Sequence, residues 1–440
     1  MSDVSGLVAD LIDLLGEGGV STDLDARQRA SVDEATMSPV LRTRIPHTPA
    51  DLVAYPADRF QVAETVAAAV RRGVPVTVRG RGTGNYGQAI PLEAGLVIDT
   101  SRARAVLSVT DGALTAEAGA RMLDLEKRAW SAQQQLWMYP STVQSTLGGF
   151  LAGGSGGTGS LARGWIEDGF VLSLDVVLAD GSATIHRIEG ADCVPFLHTY
   201  GTTGVIVAAT VALEPLVDWV SVWASIPAFP AAQQALLEVA VYEPAPRIAS
   251  TDMASVHRTF PASAVVREGE CSFRAVVSAA QVAQVRELVA AAGGEVLAEQ
   301  TGLGAIAAIS LLSYNHPLWH LIRADGDHYF HVETAGRALV DRLEEVLEVF
   351  PGTIMHMDAH RHDGEALPIG MVGGLFESEA AIDAGVARLK ELGVMAHAPH
   401  SWVLDRREEV AIATAEKTDP LGLLNPGKLP AAPAGMALFG

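Results

Sequence analysis

Basic residues are scarce in this chain: 31 Lys and Arg stand against 52 Asp and Glu, for a formal net charge of −21. A nucleic-acid binder needs a basic surface to displace phosphate counterions, so that class is excluded. Docking on an anionic membrane surface is excluded on the same ground. Cysteine is nearly absent. Cys193 and Cys271 lie far apart with no CxxC neighbour, which leaves no disulfide framework or cysteine-based zinc site and makes a reducing cytoplasm the expected setting. Long apolar runs are missing too; residues 304–312 are too few to span a bilayer. The opening MSDVSGLVADLIDLL has no basic segment and carries three aspartates, so it reads as an amphipathic helix rather than a signal peptide.

What remains is a globular composition, 49% hydrophobic and 19% charged, over 440 residues. That length implies more than one core. The chain is organised around residues 139–159, YPSTVQSTLGGFLAGGSGGTG, which hold seven glycines between Gly148 and Gly159 and no charged residue. So much glycine predicts neither helix nor ordinary strand. It suits a backbone that must approach a ligand closely, offering N–H groups and small hydroxyls. The alternative is a flexible linker, against which Leu147, Phe150 and Leu151 supply apolar anchors.

A helix is predicted over 59–72, feeding a strand at 74–79. The strand enters Arg79-Gly80-Arg81-Gly82-Thr83-Gly84-Asn85-Tyr86-Gly87. Gly82–Gly87 fits G-x-G-x-x-G, but Pro91 and a strand at 96–100 follow at once, leaving no room for the helix a Rossmann unit requires. The physics of a glycine-rich turn cradling a pyrophosphate survives; a ligand-free hairpin is the alternative. Strands at 105–110, 113–117, 170–178, 183–187 and 205–213 and a helix near 121–132 complete an α+β unit over 46–216, preceded by a helical segment, 1–45.

Beyond Pro215 the order β-α-β-β-α-β is predicted twice. The first set is 219–226, 228–241, 247–252, 272–277, 280–292 and 295–297; the second is 328–333, 335–350, 353–357, 369–376, 379–392 and 394–397. Two ferredoxin-like units imply one duplicated cap domain over 217–404. A C-terminal segment, 405–440, carries DPLGLLNPGK at 419–428, a rigid turn bearing an amide and an ammonium.

Three blocks, VTVRGRGTGNYG, YPSTVQSTLGGFLAGGSGGTGSLARG with VLSLDVVLADG, and DPLGLLNPGK, together resemble the vanillyl-alcohol oxidase / p-cresol methylhydroxylase superfamily of FAD-dependent oxidoreductases. The resemblance covers about half the chain. It implies a two-subdomain FAD-binding domain and a substrate cap. It assigns Arg79, Gly80, Arg81, Gly82, Thr83, Gly84, Asn85, Tyr86 and Gly87 to the pyrophosphate and ribose. Pro140, Ser141, Thr142, Thr146, Leu147, Gly148 and Gly149 would run along the cofactor, and Gly153, Ser155, Gly156, Gly157, Gly159 and Ser160 would approach the pyrophosphate and the flavin edge. Gly204, Val205 and Ile206 would meet the adenine side, and Asn425 and Lys428 would return from the cap. Many relatives attach FAD through a His in the first loop, and some through a Cys before the second. Neither residue stands there, so noncovalent FAD is expected. Ala118 resembles a position that gates oxygen and leans toward dehydrogenase behaviour.

The implied function is oxidation of a small alcohol, hydroxy acid or related substrate by hydride transfer to flavin N5, with O2 or another acceptor reoxidising the flavin. A D-2-hydroxy-acid dehydrogenase-like enzyme with a cap metal site and a non-catalytic flavin-binding protein are the alternatives. A homodimer is compatible with this reading. Nine of the thirteen histidines lie at or after residue 316. The densest group is His356, Asp358, His360, Arg361, His362 and Asp363. A strand continued to 362 would put His356, Asp358, His360 and His362 on one face. His356, His360, His362 and Arg361 are therefore the catalytic candidates. A metal site and a solvated turn stay open for the same residues. His397 and His400 form a second candidate pair.

Overall fold

The computed structural model describes residues 3–46, 48–325 and 328–430. The ends of the expected terminal segments, 1–2 and 431–440, lie outside the described residues. The first sheet holds β1 (Val20–Ser21), β2 (Leu52–Ala54), β3 (Val76–Arg79) and β4 (Leu96–Asp99) in the order β1-β2-β4-β3. Helix Arg59–Arg71 begins where Asp58 accepts from Phe60 N and Gln61 N, and it buries Val62, Val66 and Val70. β3 and β4 run parallel, and the glycine-rich loop forms the connection between them. The expected absence of a Rossmann helix there is observed, and a hairpin is ruled out because a hairpin needs antiparallel strands. The N-terminal segment is not purely helical: β1 adds an edge strand to β2.

The second sheet holds β5 (Val106–Thr110), β6 (Ala113–Glu117), β7 (Gln134–Leu136), β8 (Val171–Val177), β9 (Ile185–Glu189) and β10 (Val205–Pro215), ordered β5-β6-β10-β8-β9 with β7 on β10. Residues Leu147–Gly153 form a helix despite their glycines, correcting the expectation for this stretch. Thr146 caps it by accepting from Gly149 N, and buried Leu147, Phe150 and Leu151 hold it to the core. Tertiary burial outweighs intrinsic propensity here.

The cap is one eight-stranded antiparallel sheet. Its strands are β11 (Trp219–Ile226), β12 (Ile248–Asp252), β13 (Cys271–Ser278), β14 (Glu295–Thr301), β15 (Tyr329–Ala335), β16 (Ile354–His362), β17 (Glu365–Leu375) and β18 (Met395–His397). The order β14-β11-β13-β12-β16-β17-β15-β18 contains the same four-strand arrangement twice, joined where β12 pairs with β16. The duplicated ferredoxin-like topology is thus observed. The helix expected over 335–350 is broken at Arg342 (φ −124°) into Ala338–Asp341 and Leu343–Leu347.

Both faces of the cap sheet are covered. Val220, Val222, Met355, Met357, Phe330 and Val332 share a core with the cap helices. Trp219 and Trp223 pack with Leu136 and Phe170 of the second-sheet domain. Alternation therefore turns His356, Asp358 and His360 of β16, and His331 and Glu333 of β15, toward the domain of the first two sheets. Arg247, preceding β12, locks the two bodies together. It donates to Leu136 O (2.8 Å) and to buried Glu126 (2.8 Å), while its carbonyl accepts from Gly159 N (2.7 Å).

Candidate functional site

The two glycine-rich loops meet. A Cβ at Gly80 would lie 2.0 Å from Thr146 Oγ1, so only glycine permits the approach. Thr83 Oγ1 and Ser145 Oγ are hydrogen-bonded at 2.8 Å. Between the loops and the cap opens a cleft of about 550 Å³. Arg79, Gly80, Arg81, Gly82, Thr83, Gly84, Asn85 and Tyr86 line it from the first loop. Pro140, Ser141, Thr142, Thr146, Gly149, Gly153, Ser155 and Gly156 line it from the second. Among the described residues, the backbone N–H groups of Arg81, Gly82, Thr83, Gly84 and Asn85 donate to no protein acceptor. Those of Ser155 and Gly156 do not either. Backbone donors left open on a cleft wall, with Arg81 beside them, fit a pyrophosphate. The remaining length of the cleft, lined by small residues and by Trp165, Tyr200 and Tyr314, fits a dinucleotide's ring systems.

Several expected contacts stand behind this surface instead. Leu147 is core. A Cβ at Gly148 would meet Ala118 Cβ at 2.7 Å, one at Gly157 would meet Tyr139 O at 2.1 Å, and one at Gly159 would meet Trp137 O at 2.0 Å. These glycines let backbone pack on backbone, and Ala118 is buried under Gly148 rather than lining the cleft. Ser160 Oγ accepts from Gly157 N (2.9 Å). Gly204 packs on Val176 and Phe196, and Val205 and Ile206 are buried in β10. Gly87 turns the first loop with φ +83°. Asn425 donates to Gln88 O (2.9 Å) and Tyr200 O (2.8 Å), and Lys428 donates to Gly87 O (2.5 Å). The tail therefore braces the first loop from outside. Burial pushes the Lys428 ammonium down to about 7, with Asp33 opposing the shift.

The histidine strand is built as alternation required, but it is not an open site. His356 is fully buried, with Nδ1 2.8 Å from Asp252 and Nε2 2.8 Å from Asp358. Burial alone would lower it, yet the two carboxylates outweigh burial and push it up to about 9. Arg274, also fully buried, pairs with Asp252, and Ser250 and the Tyr314 N–H complete Asp358. Both imidazole nitrogens are occupied, so His356 cannot take a substrate proton. His360 packs on Trp165 (centroids 4.7 Å apart) with Nε2 3.0 Å from Tyr314 Oη, and burial lowers it to about 4. It stands one layer behind Tyr314, whose hydroxyl donates to Gly157 O (2.8 Å).

His362 and Arg361 are corrected. His362 is exposed at the hairpin rim beside Asp363. Arg361 points to the opposite face and caps a helix end through Ala240 O (2.6 Å) and Tyr242 O. Among the described residues, no group of three or more His, Cys, Asp or Glu is arranged to hold a metal ion. His397 and His400 separate. His397 lines the cleft, 2.6 Å from Asp405, whereas His400 is buried against Ser38 Oγ (2.8 Å).

Sequence reasoning missed the cleft's own polar wall. Tyr86 Oη lies 3.0 Å from His331 Nε2 and 3.3 Å from Glu333 Oε1, and it accepts from Asn315 Nδ2 at 3.4 Å. Arg406, also on the cleft, donates to Ser155 Oγ (2.6 Å) and pairs with Glu167 (3.0 Å). The available signal was the alternation of His331 and Glu333 in the predicted strand.

Residues 50–186 match the family described as FAD binding domain. That match places an FAD-binding domain in the N-terminal part of the chain. FAD is its cofactor. A D-lactate dehydrogenase of Archaeoglobus fulgidus is 30% identical over 198 residues, 43% of this chain and 44% of that protein. A glycolate oxidase subunit of Escherichia coli is 30% identical over 175 residues, 37% of this chain and 34% of the subunit. An uncharacterised FAD-linked oxidoreductase of Mycobacterium tuberculosis is 31% identical over 180 residues, 40% and 38% of the two chains. The match thus spans less than half the length of each of these relatives. Alkyldihydroxyacetonephosphate synthase superposes with a TM-score of 0.75 at 18% identity, covering 96% of this chain and 86% of its own, which shows the shared fold. Among the described residues, no helix is long and apolar enough to cross a membrane.

Proposed function

We propose that this chain is an FAD-dependent oxidoreductase that oxidises the CH–OH group of a small hydroxy acid or related alcohol. The observation that carries the reading is the cleft where the two FAD loops, with Tyr86 on the first, face Glu333 and Asn315 of the cap and Arg406 of the C-terminal segment. The resemblance to a D-lactate dehydrogenase and a glycolate oxidase subunit favours a hydroxy acid. FAD, when bound, supplies the acceptor for the hydride leaving the substrate carbon, and O2 or another acceptor restores it. The open N–H groups of residues 81–85, with Ser155 and Gly156, would hold the pyrophosphate. Arg406 offers a substrate carboxylate a guanidinium. With no His or Cys at the attachment positions of either loop, FAD is held noncovalently.

The test is an anaerobic screen of D-lactate, glycolate, simple alcohols and amines against the FAD-loaded chain, repeated in air. Bleaching by a hydroxy acid or alcohol is expected. A chain that holds FAD but is bleached by none of them would instead be a flavin-binding protein. Acid precipitation should leave the yellow colour in the supernatant; a yellow pellet would contradict noncovalent attachment.

A further inference from the structure

Glu333 sits on β15, between Met371 of β17 and His397 of β18. Its Oε1 is engaged by Tyr86 Oη, while among the described residues its Oε2 has no protein partner, and the side chain lines the cleft. The phenol is itself fixed. With His331 Nε2–H and Asn315 Nδ2–H donating to it, the Tyr86 oxygen has both acceptor sites filled and its one hydrogen left for Glu333. That tautomer leaves His331 Nδ1 as a bare acceptor, in keeping with its lack of a partner. Burial lowers His331 to about 3, so the ring is neutral and serves as a donor of one hydrogen bond.

We propose that Glu333 is the catalytic base that takes the substrate hydroxyl proton, and that Tyr86 is the residue that positions it. The assignment rests on the oxidoreductase reading above. The substrate C–H bond breaks, its hydrogen and electron pair leaving as hydride to FAD. The O–H bond breaks, its proton passing to Glu333 Oε2, and the C=O bond forms. The substrate loses two electrons and two hydrogens, and Glu333 later returns the proton to water.

Burial raises Glu333 above the ordinary carboxylate range and Asp405 adds to the shift, while His397, the Tyr86 hydrogen bond and Arg406 oppose it. His331 on the same strand and Tyr200 across the cleft are the other titratable neighbours. A carboxyl lifted in this way is better matched to proton abstraction near neutrality than a solvated one.

The test uses the FAD-loaded full chain with D-lactate and glycolate. E333Q is expected to keep FAD and to slow anaerobic bleaching by ~10²–10⁴-fold. E333A, a second variant in case the first fails to fold, is expected to recover part of the rate with added formate. Y86F should move the acidic limb of the rate profile to higher pH, because Glu333 loses the bond that favours its charged form. Wild-type bleaching rates in E333Q, or an unmoved limb in Y86F, would overturn the assignment. If neither acid bleaches the wild type, the variants are tested with whichever compound of the wider screen does, and if none does, the oxidoreductase reading is what fails. Glu333 is then judged by infrared titration of the carboxyl band. A band absent from E333Q and shifted upward in pH by Y86F supports the assignment; one untouched by both variants refutes it.

Discussion

Two imidazole–carboxylate clusters lie on the same face of the cap sheet and end up chemically opposite. At the seam of β12 and β16, His356 is closed in by Asp252 and Asp358, and Arg274 closes Asp252 in turn. At β15, the Tyr86–His331–Glu333 cluster leaves a carboxylate oxygen facing the cleft. The first cluster holds two half-sheets together. The second, among the described residues, leaves Glu333 Oε2 without a partner. Residue type alone does not separate them; the number of unfilled valences does.

The sharpest way to break this comparison is H356A. It strands two buried carboxylates against one arginine and should cost ~3–5 kcal/mol in urea unfolding of the FAD-loaded chain. E333Q should cost less stability while losing far more bleaching rate. If the two variants exchanged these profiles, the division of roles would be wrong. G80A should come next, at ~1–3 kcal/mol, because its methyl group forces the loops apart at Thr146. FAD affinity should fall with it, measured by titration of the apoprotein.

The pH dependence sharpens the same contrast. The folded-state His356 is pushed up to about 9 from an ordinary 6.5. Its contribution is complete below pH 6.5 and is lost as pH rises toward 9. The difference in unfolding free energy between wild type and H356A should therefore shrink across that window; a constant difference would contradict a charged His356. The smallest effect belongs to H362A. That side chain is exposed at the hairpin rim, so stability should stay within ~0.5 kcal/mol and bleaching should be unchanged.

The two glycine-rich loops that meet at the cleft were legible because close backbone approach demands glycine, and glycine is visible in any sequence. Gly80 is such a case, directly after β3, which ends at Arg79 as the strand predicted over 74–79 does. The cap duplication was legible from period alone. The helix Leu147–Gly153 was not, since what forms it is the burial of Leu147, Phe150 and Leu151 rather than any propensity of their neighbours. The polar wall of the cleft was harder still. Tyr86 and Glu333 stand 247 residues apart and meet only because β15 is laid across the first loop. The dense group at 356–363 drew attention by composition, yet its imidazoles are filled, stacked or exposed.

A crystal structure of the chain grown with FAD tests the central claim most directly. One dinucleotide per chain is expected, its pyrophosphate on the amides of residues 81–85 and its flavin facing Glu333 across the cleft. A chain that takes up no FAD, or one that binds it away from the junction of the two loops, would contradict the account.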